Sequence, residues 1–253
     1  MATWQDLEDE LSAWAAAGEV PTFWWRDDDA RAPTPALDRL IGLSERTGTP
    51  LHLAVVPENI DPGLKARLEA TVEVYVFQHG FAHLNHEPKG MRASEVGVSR
   101  PLALQEADLR DGWRRLTAAA LPRTLPVFVP PWNRIAESTV ARLPTLGFRA
   151  LSRFTDDAYS PGQGPLPEFN GHLDPIRWKE GAEFRGTEKC LSLFLDHLRA
   201  RRLGQTRAAT PTCLVSHHLE TDEATWGFMA ELLDRLSPAG RGRWLRIGDL
   251  LDG

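Results

Sequence analysis

The sequence predicts an α/β fold, a distorted (β/α) barrel of seven or eight parallel strand–helix units, and three observations carry that expectation. From about residue 20 onward, short β-branched and aromatic runs alternate with helical stretches of about ten residues or more, which means βα crossovers and a parallel sheet. A length of 253 residues suits one such barrel. A doubly wound open sheet would fit the same rhythm, but no GxGxxG turn follows the first strand.

Each element has its own signal. Trp4, Leu7, Leu11 and Trp14 share one face of a helix over about 4–17, with acidic residues early, and this amphipathic helix is expected to pack outside the barrel. PTFWW (21–25) reads as strand, 35–48 as helix, PLHLAVVP (50–57) as strand, 61–70 as helix and TVEVYVFQ (71–78) as strand. After a long insertion, 103–121 reads as helix, PVFVP (126–130) as strand, 135–147 as helix and turn, and FRALS (148–152) as strand. A Gly- and Pro-rich stretch (160–171) and a short segment HLDPIRW (172–178) precede a helix near 190–202 and the strand TCLVS (212–216). A helix over 221–237, with Thr221 as its expected cap, and a last strand WLRI (244–247) complete the chain. No repeat or linker divides it, so 1–253 is expected to be one domain. The insertion at 85–100 is too long for a median βα connection and is read as covering the mouth of the site.

Composition narrows the function. The chain is 42% hydrophobic and 25% charged, with a formal charge of −6 and no basic block, so neither nucleic acid nor an anionic membrane is an expected partner. Cys190 and Cys213 form no ligand or redox motif and read as buried small hydrophobes. The N-terminal segment is acidic where a signal peptide is basic, and no apolar run is long enough to span a bilayer; the expected location is cytoplasmic.

In a parallel barrel the residues just past the strand C-termini share one face. Applied here, that rule gathers Arg26, Asp27, Asp28 and Asp29 after the first strand, and His79, His83 and His86 after the third. It adds Trp132 and Asn133, then His172, Asp174 and Trp178, and finally His217 and His218. Of eight histidines, all but His52 and His197 fall at these ends. Three adjacent carboxylates repel one another unless positive charge faces them, and a metal ion between aspartates and histidines would supply it. His79 and His83, four apart across a turn that Gly80 permits, meet on one face, and two histidines plus one carboxylate form a frequent zinc set. Of Asp28 and Asp29, one can bind metal while the other holds a water or the partner group. A histidine without a metal role can act as general acid, and His217, which directly leaves the strand, is preferred over His218. Trp132 supplies an aromatic plane, and Trp24, Trp25 and Trp178 lie near other strand ends, each as readily core as sugar platform. His86 reads as surface or support, and Arg26 as an orienting partner for a carboxylate.

With these residues on the page, the chain resembles the polysaccharide deacetylase superfamily, the NodB-homology carbohydrate esterases, in a divergent, cytoplasmic-looking form. The matching segments are RDDDA (26–30), HGFAH (79–83), PPWNR (130–134), HLDPIRW (172–178) and LVSHH (214–218), in family order over about residues 20–235. The resemblance implies a distorted (β/α) barrel and a metal-dependent hydrolase that removes an acyl group, typically acetyl, from an amide nitrogen of a sugar or related small amide. It implies Asp28 as base and Asp29 as metal ligand, or both roles one residue earlier. It places His79 and His83 as the other ligands and His217, with His218 the alternative, as acid. The family's third motif begins with an arginine that Val129 or Pro130 replaces here, leaving Arg26 or Arg134 to substitute, while Asp174 and Trp178 match the fourth motif loosely.

The mechanism so implied is attack by a metal-activated water, with Asp28 taking its proton and His217 protonating the amine. Arg26, Asp27, Trp132, Asn133, His172, Asp174, Trp178 and His218 are the expected substrate-binding or support residues. One divalent ion is expected, zinc by default, with cobalt, nickel, manganese or iron compatible with the same donors. The expected partner is a small molecule or short glycan. Two other readings stand beside this one: a phosphoesterase using a second metal on His86, His172 and Asp174, and a non-catalytic carbohydrate-binding protein on the same scaffold.

Overall fold

Alternating apolar runs and amphipathic stretches fold as the sequence rhythm requires. The computed structural model describes residues 1–154, 166–179, 181–207 and 210–251. In chain order the elements are α1 (Trp4–Ala16), β1 (Thr22–Ala30), α2 (Pro35–Thr47), β2 (Leu51–Val55), α3 (Gly63–Glu69), β3 (Val74–His79), α4 (Leu102–Ala118) and β4 (Thr124–Val129). They continue with α5 (Glu137–Val140), β5 (Ala150–Leu151), β6 (Ile176–Arg177), β7 (Glu183–Phe184), α6 (Thr187–Arg202), β8 (Thr212–Ser216), α7 (Glu223–Leu236), β9 (Arg243–Trp244) and α8 (Ile247–Leu251). Single 3₁₀ turns cover Pro131–Asn133, Leu143–Leu146 and His218–Glu220.

Local chemistry sets several of these boundaries. Thr3 and Asp6 close a reciprocal capping box on α1. Thr34 caps α2, Pro35 fills its first turn, and Gly48 ends it in the left-handed region at φ 64°. α7 is capped by Asp222, one residue beyond the expected Thr221: the Asp222 carboxylate accepts the Thr225 N–H at 2.7 Å, while the Thr221 hydroxyl donates back to the His217 carbonyl at 2.8 Å. The run 135–147 is broken by Pro144 into α5 and a 3₁₀ turn instead of one helix, and 244–247 gives only a two-residue strand before α8 begins.

The sheet order is β5-β4-β3-β2-β1-β8, with β9 added beside the start of β1. All of these pairs are parallel. The ends of the sheet do not stay open. The Leu151 N–H donates to Pro167 O (3.1 Å), Gly171 N–H to Arg153 O (2.8 Å) and Val215 N–H to Leu173 O (2.7 Å). Residues 167–173 therefore act as an irregular stave between β5 and β8, and the cylinder closes as a distorted barrel. Residues 155–165, including the first half of the Gly- and Pro-rich stretch, lie outside the described residues.

Alternation along each strand separates two cores. Trp24, Ala54, Phe77, Val127, Val129, Cys213 and Val215 fill the barrel interior, where Ile247 of α8 joins them. Phe23, Trp25, Leu51, Leu53, Val76 and Leu214 face outward onto α1, α2, α6 and α7. Trp24 and Trp25 are thus core residues, not sugar platforms. α1 packs on the outside, its buried Glu10 held by the Arg202 guanidinium at 2.7 and 3.0 Å. Both cysteines are buried, and burial pushes the Cys190 thiol up to about 12. Among the described residues no helix is long and apolar enough to cross a membrane.

Candidate metal and proton-transfer site

β1 runs on through the acidic cluster to Ala30, four residues longer than a strand ending at Arg26 would be, so strand alternation sorts the aspartates. Arg26 and Asp28 follow Trp24 to the inside. Asp27, level with Ser216 of β8, faces out. At Asp29 the backbone enters the left-handed region (φ 74°) and the β1–β2 register slips, which turns this third carboxylate back toward the mouth of the barrel.

There Asp29 Oδ1 faces two imidazoles, 3.1 Å from His79 Nε2 and 3.2 Å from His83 Nε2. The three groups offer ligand atoms within 4.8 Å of one another, the one such group among the described residues. His79 stands at the end of β3. Gly80 (φ 54°) then turns the chain, where a Cβ would meet Pro131 and Glu95 at 2.0 to 2.6 Å, and His83 itself sits at φ 59°.

The donor set fits a cation. His79 Nδ1 lies 3.0 Å from the Val129 carbonyl, which only accepts, so Nδ1 carries the proton and a neutral ring turns the Nε2 lone pair toward a carboxylate oxygen. Asp29 Oδ1 is buried and has no hydrogen bond of acceptable geometry. Lone pairs that converge this way repel unless a positive charge lies among them. Without a metal the three groups shift one another. Burial alone would lower the His79 pKa, yet the adjoining Asp29 carboxylate and the charge of Asp28 raise it. Burial raises Asp29, but His79, His217 and His83 outweigh it and hold the carboxyl well below its usual range. His83 is lowered, by burial and then by the charge of His79.

A second constellation lies beside the first. The fully buried Arg26 grips Asp28 with two prongs, Nε 2.8 Å from Oδ1 and Nη2 2.9 Å from Oδ2. Its remaining donors reach Asn133 Oδ1 and Ser152 Oγ, each at 2.6 Å. His217, facing inward at the end of β8, places Nε2 3.8 Å from Asp28 Oδ2 and Nδ1 3.9 Å from Asp174 Oδ2. Asp174 accepts from Trp178 Nε1 at 2.8 Å and from the Ile176 N–H at 2.9 Å, and burial raises its pKa despite the nearby His217. Trp178 meets His217 edge-on at 4.7 Å between centroids, and Trp132 lies 4.3 Å from the His83 ring. Two indoles therefore flank the cleft.

Other expected site residues lie elsewhere. His172 Nδ1 accepts the Cys213 N–H (3.0 Å) and its ring stacks on His197 of α6 at 3.5 Å; one step earlier on the stave than Leu173, it falls below the site. Asp27 and His218 pair with each other on the outer face. Arg134 donates to the Ala93 carbonyl, and it is Arg26 that pairs with Asp28. His86 is exposed, and His86, His172 and Asp174 form no second metal group among the described residues. Loop 85–100 buttresses the site more than it covers it. Its buried Glu95 accepts the N–H groups of Phe81 (2.9 Å), Ala82 (2.8 Å) and Leu84 (3.4 Å), and Val96 bridges to Ile135. Glu95 carries no signal in the sequence. Ser152 did: it ends the FRALS strand on the same face as the other site residues.

No family model and no curated protein matches the sequence. Solved structures do resemble it. A Mycobacterium smegmatis protein assigned as a polysaccharide deacetylase superposes with TM-score 0.63 at 13% identity, covering 92% of each chain. An allantoinase gives TM-score 0.62 at 14% identity over 91% of this chain and 89% of its own. A peptidoglycan deacetylase from Bacillus subtilis gives 0.56 at 13% identity over 92% and 91%. Closed cylinder, strand-end site and these superpositions agree: over 92% of its length the chain has the fold of the NodB-type polysaccharide deacetylases.

Proposed function

We propose that the protein is a divalent-metal-dependent hydrolase that removes an acyl group, acetyl in the simplest case, from the amide nitrogen of a sugar or related small amide. The observation that carries this reading is the inward pair Asp28 and His217, 3.8 Å apart, beside the Asp29, His79 and His83 cluster on a deacetylase fold. Asp29, His79 and His83 would hold the ion, whose chemistry is to polarise the acyl carbonyl and acidify a water. Their two-nitrogen, one-oxygen donor set suits zinc, and also cobalt, nickel, manganese or iron.

This chain's own residues do the rest. Asp28, fixed by the Arg26 fork, accepts the proton of the attacking water as the new carbon–oxygen bond forms. His217 delivers its proton to the nitrogen as the carbon–nitrogen bond breaks, giving a carboxylic acid and an amine. Asp174 faces the other ring nitrogen, Nδ1, at 3.9 Å and orients the ring. Trp132 and Trp178 offer apolar walls for a ring or an acyl methyl. A soluble amide or a cytoplasmic glycan precursor is the proposed substrate.

The test joins metal analysis to amine release from N-acetylated sugars, with allantoin in the panel because an allantoinase shares the fold. Wild type should hold close to one divalent ion per chain, and His79→Ala or His83→Ala should lose most of it. A wild type that cannot be loaded with any divalent metal would sink the hydrolase reading. His217→Ala should retain metal, lose amide hydrolysis, and recover part of its rate on an activated aryl acetate, whose leaving group needs no proton.

A further inference from the structure

The proton-transfer and metal constellations use two of the three adjacent aspartates and one of the two adjacent histidines. The unused pair, Asp27 and His218, is buried at 0% and 2% exposure, and each is the other's partner, with Nδ1 2.5 Å from Oδ1. Asp27 Oδ2 also accepts Ser216 Oγ at 2.6 Å and the His218 backbone N–H at 3.0 Å. Ser216 in turn accepts Trp25 Nε1 at 2.9 Å. One carboxylate thus ties down the residues on both sides of His217. β8 ends at Ser216, a 3₁₀ turn starts at His218, and His217 lies between them at φ −139° and ψ 89°.

Stability alone does not account for this arrangement. Withdrawing two charged groups from water is costly, and an apolar pair of similar volume usually serves a core as well or better. The surroundings are apolar already, since the neighbouring outward positions Phe23 and Trp25 of β1 and Leu214 of β8 are core. What hydrogen bonds add over apolar contact is direction. Two fixed bonds across a single residue leave that residue little freedom to rotate about the strand end.

We propose that Asp27 and His218 are positioning residues for His217, an outer clamp that holds the proton donor at its distance from Asp28. The proposal rests on the reading of His217 as the acid. It makes the extra aspartate and the extra histidine one device, built at adjacent strands where Asp27 is in register with Ser216.

The experiment compares Asp27→Leu/His218→Leu, His218→Ala and His218→Asn with wild type, all loaded with the same divalent metal. Each is assayed on an N-acetyl amide and on an activated aryl acetate, and the His217 ring is followed by nitrogen-15 NMR. The apolar double variant and His218→Ala should lose ten- to a hundredfold in amide kcat, the scale of a displacement of about 1 Å. KM, metal content and the ester rate should change less than threefold. His218→Asn should restore most of what alanine loses, because its amide N–H can occupy the place of Nδ1–H. The His217 ring signals should shift or broaden in both damaged variants. Amide kcat within threefold of wild type in a folded His218→Ala would overturn the clamp. Equal losses on amide and ester would do so too, since they would place the effect on Asp28 or the metal. If no N-acyl substrate is turned over at all, the hydrolase reading fails by itself, and the NMR still decides the clamp: unchanged His217 signals in His218→Ala refute it.

Discussion

Three consecutive aspartates coexist because each is directed into different surroundings. Arg26 holds Asp28, His218 and Ser216 hold Asp27, and Asp29 joins His79 and His83 around the place a cation would fill. Substitution of Asp29 and of Asp28 should therefore give two distinct phenotypes. Asp29→Asn should weaken metal binding, read by titration of the apoprotein. Asp28→Asn should keep the metal and lose 10²- to 10⁴-fold in rate, the usual scale for a general base. Metal loss at Asp28 with rate loss at Asp27 would reassign both roles one residue back. The sequence showed the chemistry of this cluster but left its register open. Asp is a poor strand former, so nothing in RDDDA announces that β1 continues through it. Once it does, alternation separates Asp27 from Asp28, and the same alternation on β8 separates His217 from His218. Arg26 was visible as an orienting residue by its neighbours. That its fork would reach Asn133 and Ser152 across the barrel depends on long-range closure, which no local pattern encodes.

At the scale of elements, the ligand loop 80–84 is shaped from outside itself. Glu95, fourteen residues beyond Phe81 in the sequence, satisfies its N–H groups through one carboxylate. Glu95→Gln keeps the shape but turns one acceptor into a donor that faces an N–H. Metal affinity should fall 10- to 100-fold, as expected when an outer partner of a ligand is lost, with little change in thermal unfolding of the apoprotein. An unchanged affinity would show that the loop holds its shape alone. Gly80→Ala should be worse, because its Cβ would meet Pro131 and Glu95 and its φ is positive. Strands and helices were largely legible here, since their periodicities are local. The stave 167–173 was not, because it pairs through scattered bridges and has no alternation of its own. Loop 85–100 was recognised by length, but its role as a buttress hangs on one buried side chain.

For the whole molecule, three buried histidines away from the site couple folding to pH. His52 lies 2.8 Å from the Trp25 carbonyl through Nδ1 and accepts the Ile247 N–H at Nε2 (3.1 Å), a pattern that only the neutral ring satisfies. Burial lowers its pKa to about 4 and that of His197 to about 3, and lowers His172 well below the ordinary value. The unfolded chain takes up these protons near 6.5 and the folded chain does not. The stabilisation is complete above 6.5 and is lost as pH falls toward 4, by about 3 kcal/mol for His52 alone. Urea unfolding between pH 7 and pH 4 should show that slope, and His52→Gln should flatten it; equal slopes for both proteins would exclude His52 as a source. The irregular stave has a further consequence. Its backbone bonds to β5 and β8 are few, whereas β1, β2 and β3 are laddered along their length. Amide hydrogens of Gly171 and Val215 should therefore exchange with deuterated water well before those of β2. Asp174 and Trp178 follow directly on that stave, while Asp28, Asp29 and His79 belong to the laddered strands. Breathing of the cylinder should thus be felt on one flank of the cleft, where His217 meets Asp174, while the flank of Asp29 and His79 stays fixed.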